Sequence, residues 1–167
     1  MARQESAVRQ PYAESAKSGP STDDSPESDI RLTLNRIINA PLDEVYAAWT
    51  NPEILKKWFA PGDAEVKVAV ANVIVGGKLL VEIRASDGTI WRLLGVYRKV
   101  EPLRRLVHTW AWEGSSTESL VAVDFEPTAP GKTLLTLTHS RFEQTETRDE
   151  HERGWSGCLS KLEKLLV

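Results

Sequence analysis

The sequence predicts an α+β domain: a curved antiparallel sheet of about seven strands wrapped round one long C-terminal helix, with two short helices after the first strand. Three observations predict it. Between residues 64 and 142, apolar side chains recur at every second position in six successive segments separated by short turns, the pattern of half-buried strands in a meander. From about Thr145 the apolar spacing changes to three and four, the period of a helix. Between Asn39 and Glu53, two proline-marked helix starts interrupt the strands.

Order begins near Ile30. Ile30, Leu32 and Leu34 alternate with Arg31, Thr33 and Asn35 as a first strand. Pro41, Asp43 and Glu44 mark a helix running to about Trp49, since proline suits the first turn and carboxylates complement the positive helix end. Thr50-Asn51-Pro52-Glu53 repeats the signal for a second short helix reaching about Trp58, and Pro61-Gly62 ends it. Val66, Val68 and Val70 form the next strand, then Leu79, Val81 and Ile83, with a hairpin turn at Ser86-Asp87-Gly88. Trp91, Leu93, Gly95 and Tyr97 share one face. After the turn at Glu101-Pro102-Leu103, so do Leu106, His108, Trp110 and Trp112. Val121, Val123 and Phe125 follow, Pro127 to Lys132 makes a turn, and Leu135, Leu137 and His139 alternate in the last strand.

In the C-terminal segment His151, Trp155, Cys158, Leu159, Leu162, Leu165 and Leu166 form one apolar stripe. That stripe must be buried, and the sheet is the one large surface available to it. Gly154 and Gly157 lie inside the helix at a cost of ~1 kcal/mol each relative to alanine, which suggests close backbone packing or room for something bulky. A twisted meander curves, so space remains between helix and sheet centre.

Residues 1–29 are expected to be a disordered tail and residues 30–167 the domain. The tail is rich in Ser, Pro, Glu, Asp and Ala and carries three basic and six acidic side chains, the whole net charge of −3; it has too little apolar surface to offset its ordering entropy. The balanced remainder gives no electrostatic footprint for nucleic acid or an anionic membrane. A single cysteine, Cys158, excludes an intrachain disulfide and fits a reducing compartment. With no apolar run of ~18 residues and no apolar signal core, neither membrane insertion nor export is expected, and the protein reads as cytoplasmic.

Several short motifs occur in a recognisable order. Asn39-Ala40-Pro41 with Val45 and Trp49 is followed by Thr50-Asn51-Pro52-Glu53 and Lys57-Trp58. Gly76-Gly77, Asp87-Gly88, Gly95 and Leu106-Val107-His108-Thr109-Trp110 come next, and His151 with Trp155 and a leucine-rich helix closes the series. Over residues 30–167 this resembles the activator-of-heat-shock-protein-90-ATPase-like group of the START-like (SRPBCC) superfamily. The resemblance implies the helix-grip fold with a hydrophobic cavity, and it leaves room for a homodimer through sheet edges or helices. Relatives often carry Asp-x-Arg before the double glycine. Here those positions are the uncharged Asn72 and Ile74, so a polar anchor supplied by that arginine is absent. The family spans lipid binders, polyketide cyclases, a toxin-sequestering protein and co-chaperone domains, so fold transfers and function does not.

The cavity candidates are the side chains on inward phases of strands and helix: Trp58, Trp91, Tyr97, His108, Trp110, Trp112, Leu137, His139, His151, Trp155 and Leu159. An indole offers a flat apolar wall and one donor, suited to a planar ligand; Trp49 is assigned to core packing. His108, His139 and His151 lack the paired spacing of a zinc site, so no metal and no cofactor is expected. They serve either as structural side chains or as polar groups that orient a ligand. No Gly-x-Ser-x-Gly elbow and no phosphate loop occurs, and Cys158 falls on the buried stripe as a small core residue. No catalytic set is identified. The leading expectation is binding of a small apolar or aromatic ligand. A cyclase or aromatase using His108, His139, His151 or Tyr97 as acid or base ranks second. A co-chaperone-like module with a heat-shock-protein-90 partner ranks third, because the eukaryotic protein that names the group has two domains.

Overall fold

In the computed structural model, which describes residues 29–166, the chain runs β1 (Ile30–Ile38), α1 (Leu42–Thr50), α2 (Pro52–Leu55), β2 (Glu65–Ala71), β3 (Lys78–Arg84), β4 (Ile90–Glu101), β5 (Arg105–Trp112), β6 (Ser119–Ala129), β7 (Lys132–Phe142) and α3 (Thr145–Leu165). The expected tail, apart from Asp29, lies outside the described residues. All seven strands form one antiparallel sheet in the order β1-β7-β6-β5-β4-β3-β2. Strands two to seven are thus the expected meander, and β1 closes beside β7, leaving β1 and β2 as its edges. No helix among the described residues is long and apolar enough to cross a membrane.

The helix starts follow their signals. Pro41 sits at the N-cap of α1 with Asp43 and Glu44 in its first turn. Asn51 caps α2, its side chain accepting the Glu53 N–H at 2.9 Å. The second helix is shorter than its sequence suggests: α2 ends at Leu55, and Trp58 lies in the tight turns that follow, where Lys57 N–H reaches Ile54 O at 2.9 Å. Trp58 is anchored there by its own indole, which donates to Ala48 O at 3.0 Å.

Three further expectations are corrected. A bulge between Val66 and Val68 shifts the β2 register, so Val68 and Val70 face solvent at 38% and 45% exposure while Val66 stays buried; one extra residue turns every following side chain to the other face. Pro127 lies inside β6 opposite Thr133, beside a register shift, a position where a missing donor is tolerated; the turn narrows to Pro130-Gly131. Leu165, placed on the apolar stripe, is exposed at the last helical residue.

The backbone of α3 runs closest to β1 and, less extensively, β7. Its flanks are tied down by Arg36 to Glu163 at 3.3 Å and by Lys161 Nζ, which donates to Ala60 O at 2.5 Å. Gly157 faces the backbone of Gly62, whose N would lie 3.9 Å from an added Cβ.

Two glycines are demanded by close approach. An added Cβ at Gly77 would stand 1.9 Å from Asn72 O, and at Gly95 it would stand 2.4 Å from Thr109 O. Near Gly95 the β4–β5 pairing loosens: Val96 N–H bonds the Thr109 hydroxyl at 2.9 Å, and the register shifts between Tyr97 and Lys99.

Gly77→Ala and Gly95→Ala should each destabilise by about 2 kcal/mol or more, because backbone must move. Gly157→Ala should be neutral or stabilise by up to ~1 kcal/mol. Urea midpoints of the three variants check the contrast, and equal effects at all three positions would contradict it.

Candidate functional site

Trp110 of β5 is the hub of the space between sheet and helix. Ring centroids around it stand at 5.0 Å for His139, 5.2 Å for Trp155, 5.7 Å for Trp112, 5.9 Å for His151, 6.2 Å for Phe59 and 6.4 Å for His108. These side chains arrive from β5, β7, α3 and the turn after α2. Strand alternation brings His108, Trp110 and Trp112 onto one face, and helical spacing puts His151 one turn before Trp155. Trp49 of α1 stacks on Trp155 at 5.9 Å.

The eleven residues named from the sequence fall into groups. Trp110, Trp112, His108, His139, His151 and Trp155 come together around the hub. Tyr97 joins through His108, at 5.7 Å between rings. Leu137 and Leu159 are fully buried in the core. Trp58 packs edge-on against Trp49 at 4.7 Å and Phe59 at 5.1 Å, at the α1–α2 end. Trp91 is half-buried at the margin of the core, opposite Ile83 of β3. Ile74 is 58% exposed.

A chain of hydrogen bonds fixes the tautomer of His139. The Trp155 indole donates to its Nδ1 at 3.0 Å, and its Nε2 lies 2.7 Å from Ser119 Oγ. Indole is only a donor, so Nδ1 holds the lone pair and Nε2 carries the proton. The Nε2–H therefore donates to Ser119, whose hydroxyl points on to Trp110 O at 3.4 Å. His139 is thereby unable to take a proton from Ser119, and the pair lacks the geometry of an activated nucleophile. His108 Nδ1–H donates to Thr109 O and His151 Nδ1–H to Thr147 O, both at 2.8 Å; Nε2 is the lone-pair nitrogen of each ring.

Burial keeps all three histidines neutral. It pushes His108 and His151 down to about 4, against an ordinary 6.5, each partly opposed by its backbone carbonyl. Burial drives His139 well below 6.5, and its two neighbouring histidines add to the effect. Loss of water pushes the Tyr97 phenol far up and the Cys158 thiol up to about 12, so both stay protonated. Among the described residues no group of three or more His, Cys, Asp or Glu side chains is placed to hold a metal ion. The arrangement offers a dry, uncharged, aromatic surface with indole donors.

Sequence reasoning missed Ser119, Phe59 and Phe142. Ser119 follows a polar turn and carries no signal of its own. Phe59 lies beyond the last helical residue of α2, where no period applies. Phe142, 4.3 Å from His139 between rings, ends β7 after Arg141, which sits in the left-handed region at φ 69° and breaks the alternation.

A family profile described as activator of Hsp90 ATPase homolog 1-like protein matches residues 39–167. Among solved structures, the chain is similar to a protein from Chromobacterium violaceum, with 25% identity, a TM-score of 0.74, and 82% of this chain and 97% of that one covered. The AHSA1 protein from Silicibacter pomeroyi gives 23%, 0.75, 82% and 97%, which speaks to fold alone. CalU16 from Micromonospora echinospora gives 27%, 0.64, 83% and 76%. Among curated proteins, none matches the chain.

The histidines dictate an acid limit. Their folded-state pKa values lie below the unfolded 6.5, so the unfolded chain binds the extra protons. Stability is unaffected by them above 6.5 and is lost as pH falls from 6.5 toward 4. His108 and His151 contribute roughly 3 kcal/mol each to this loss. Ring-proton chemical shifts should show no histidine titrating between pH 6 and 8 in the folded protein; a ring with a midpoint near 6.5 would contradict the burial. Trp155→Phe, which removes the donor to His139 Nδ1 and trims a buried ring, should cost about 2–4 kcal/mol in urea unfolding.

Proposed function

The chain belongs to the activator of Hsp90 ATPase homolog 1-like family, and on that premise we propose that it binds a small apolar or aromatic molecule between the sheet and α3, without transforming it. The observation that carries this reading is the cluster of large aromatic rings centred on Trp110, which joins β5 and β7 to α3. Such rings provide a preformed flat apolar wall, and they change rotamer more readily than a backbone shifts. Binding is favoured over chemistry because His139 has both nitrogens committed, and because His108 and His151 are weak bases at about 4, far from the near-neutral values that suit proton transfer. The ligand would lie against Trp91, Trp110 and Trp112, with Tyr97 and the histidines behind them.

Native mass spectrometry of protein purified from its own host, repeated under denaturing conditions, tests this. A reproducible mass excess that disappears on unfolding is the expected result. A bare polypeptide mass, together with no shift in melting temperature across a panel of neutral aromatic compounds, would overturn the reading.

A further inference from the structure

Six of the nine large apolar side chains exposed among the described residues lie on two strands and a loop of one half of the sheet. They are Val68 and Val70 on β2, Ile74 (58%) and Val75 (67%) in the β2–β3 loop, and Ile90 (44%) and Leu94 (39%) on β4. The other three, Ile37, Leu103 and Leu165, are scattered singly, as exposed apolar residues ordinarily are.

The strand registers build a patch from them. Val70 stands opposite Leu80, Leu80 opposite Leu94 and Leu94 opposite Ala111, an unbroken apolar row across four strands. Alternation turns this row away from the core, since the flanking Leu79, Val81 and Leu93 are the buried ones. The next row is charged. Val68 stands opposite Glu82 and Glu82 opposite Arg92, which is held by Glu82 at 3.0 Å and Glu113 at 2.9 Å. Beyond it Arg84 lies between Glu65 and Ile90, and Glu65 pairs with Lys67 at 3.1 Å. An apolar centre beside a rim of both signs is the anatomy of a protein interface. From Val68 to Gly77 the chain carries no charge, although outer strands ordinarily use charges to discourage association. The other edge strand, β1, carries Arg31 and Arg36 and lies along α3.

Size, chain length and charge say what covers the patch. Its six side chains leave on the order of 500 Å² in contact with water, large for a monomer and more than half of the ~800 Å² that one partner gives to a standard interface. Residues 1–28 do not supply the cover. After Met1 their sizeable apolar side chains are Val8 and Tyr12, and they join the domain at β1, the far edge of the sheet. A strongly acidic or basic partner finds no matching field, because Glu65, Glu82 and Glu113 balance Lys67, Arg84 and Arg92 along the rim. A second copy meets each requirement. A two-fold axis sets the apolar row against its own equivalent and opposes rims of mixed sign.

We propose that the outward face of β2, β3 and β4 is a homodimer interface, with Val70, Leu80 and Leu94 at its centre and the Arg92 ion pairs at its rim. Trp110 and its neighbours, on the inward face of the sheet, stay outside the contact.

Sedimentation velocity of the full chain from low to high micromolar concentration tests this. Val70→Glu and Leu94→Glu are compared with Ile37→Glu, an exposed position on the other edge strand. The wild-type chain and Ile37→Glu should sediment as dimers at high concentration, and each of the other two should raise the dimer dissociation constant at least tenfold. Circular dichroism melts check folding. Should a variant fail to fold, hydroxyl-radical footprinting of the wild type decides: Val70, Ile90 and Leu94 should lose reactivity as concentration rises, while Ile37 and Leu103 keep theirs. A chain that stays monomeric throughout, a dimer that survives both glutamates, or an unchanged footprint at Leu94 rules the interface out.

Discussion

The hydrogen bond from the Trp155 indole to His139 Nδ1 is the contact on which the rest depends. It joins α3 to β7 at the centre of the structure. It demands a lone pair on Nδ1, hence a neutral imidazole, hence a site from which water is excluded. Trp110, Phe142 and His151 supply that exclusion by surrounding the ring at 5.0, 4.3 and 5.1 Å. Helix position, histidine protonation and dryness are thus one condition stated three ways. Charging any of these rings places an unpaired ion in an aromatic core, which is why the acid limit of the fold and the chemistry of the site are inseparable.

The sheet contributes by being irregular in the right places. The bulge in β2 turns Val68 and Val70 outward. In the loosened β4–β5 pairing near Gly95, Thr109 serves Val96 with its hydroxyl and His108 with its carbonyl. Tyr97 and His108 are paired across the two strands there, their rings 5.7 Å apart. Surface ion pairs such as Lys67 with Glu65 and Arg148 with Asp149 add little to this, being solvated and screened. Lys161 to Ala60 O and the partly exposed Arg36–Glu163 pair flank α3, a helix carrying two internal glycines, and are secondary to the buried contact of Trp155 with His139.

The sequence by itself determined the order of elements, the meander, the period and start of α3, and which side chains of β3 to β7 face inward, because alternation and helical spacing report directly on which faces are buried. Six of its eleven cavity candidates meet around Trp110 for that reason. Only the tertiary structure decided the rest. Whether His139 is a base or a fixed donor depends on Trp155 and Ser119, sixteen and twenty residues away along the chain, whose meeting no local pattern encodes. The β2 bulge and the early end of α2 likewise carry no signal in the alternation of apolar residues. Periodicity records burial, but hydrogen-bond direction and charge state arise from long-range neighbours, and those exist only once the chain has folded.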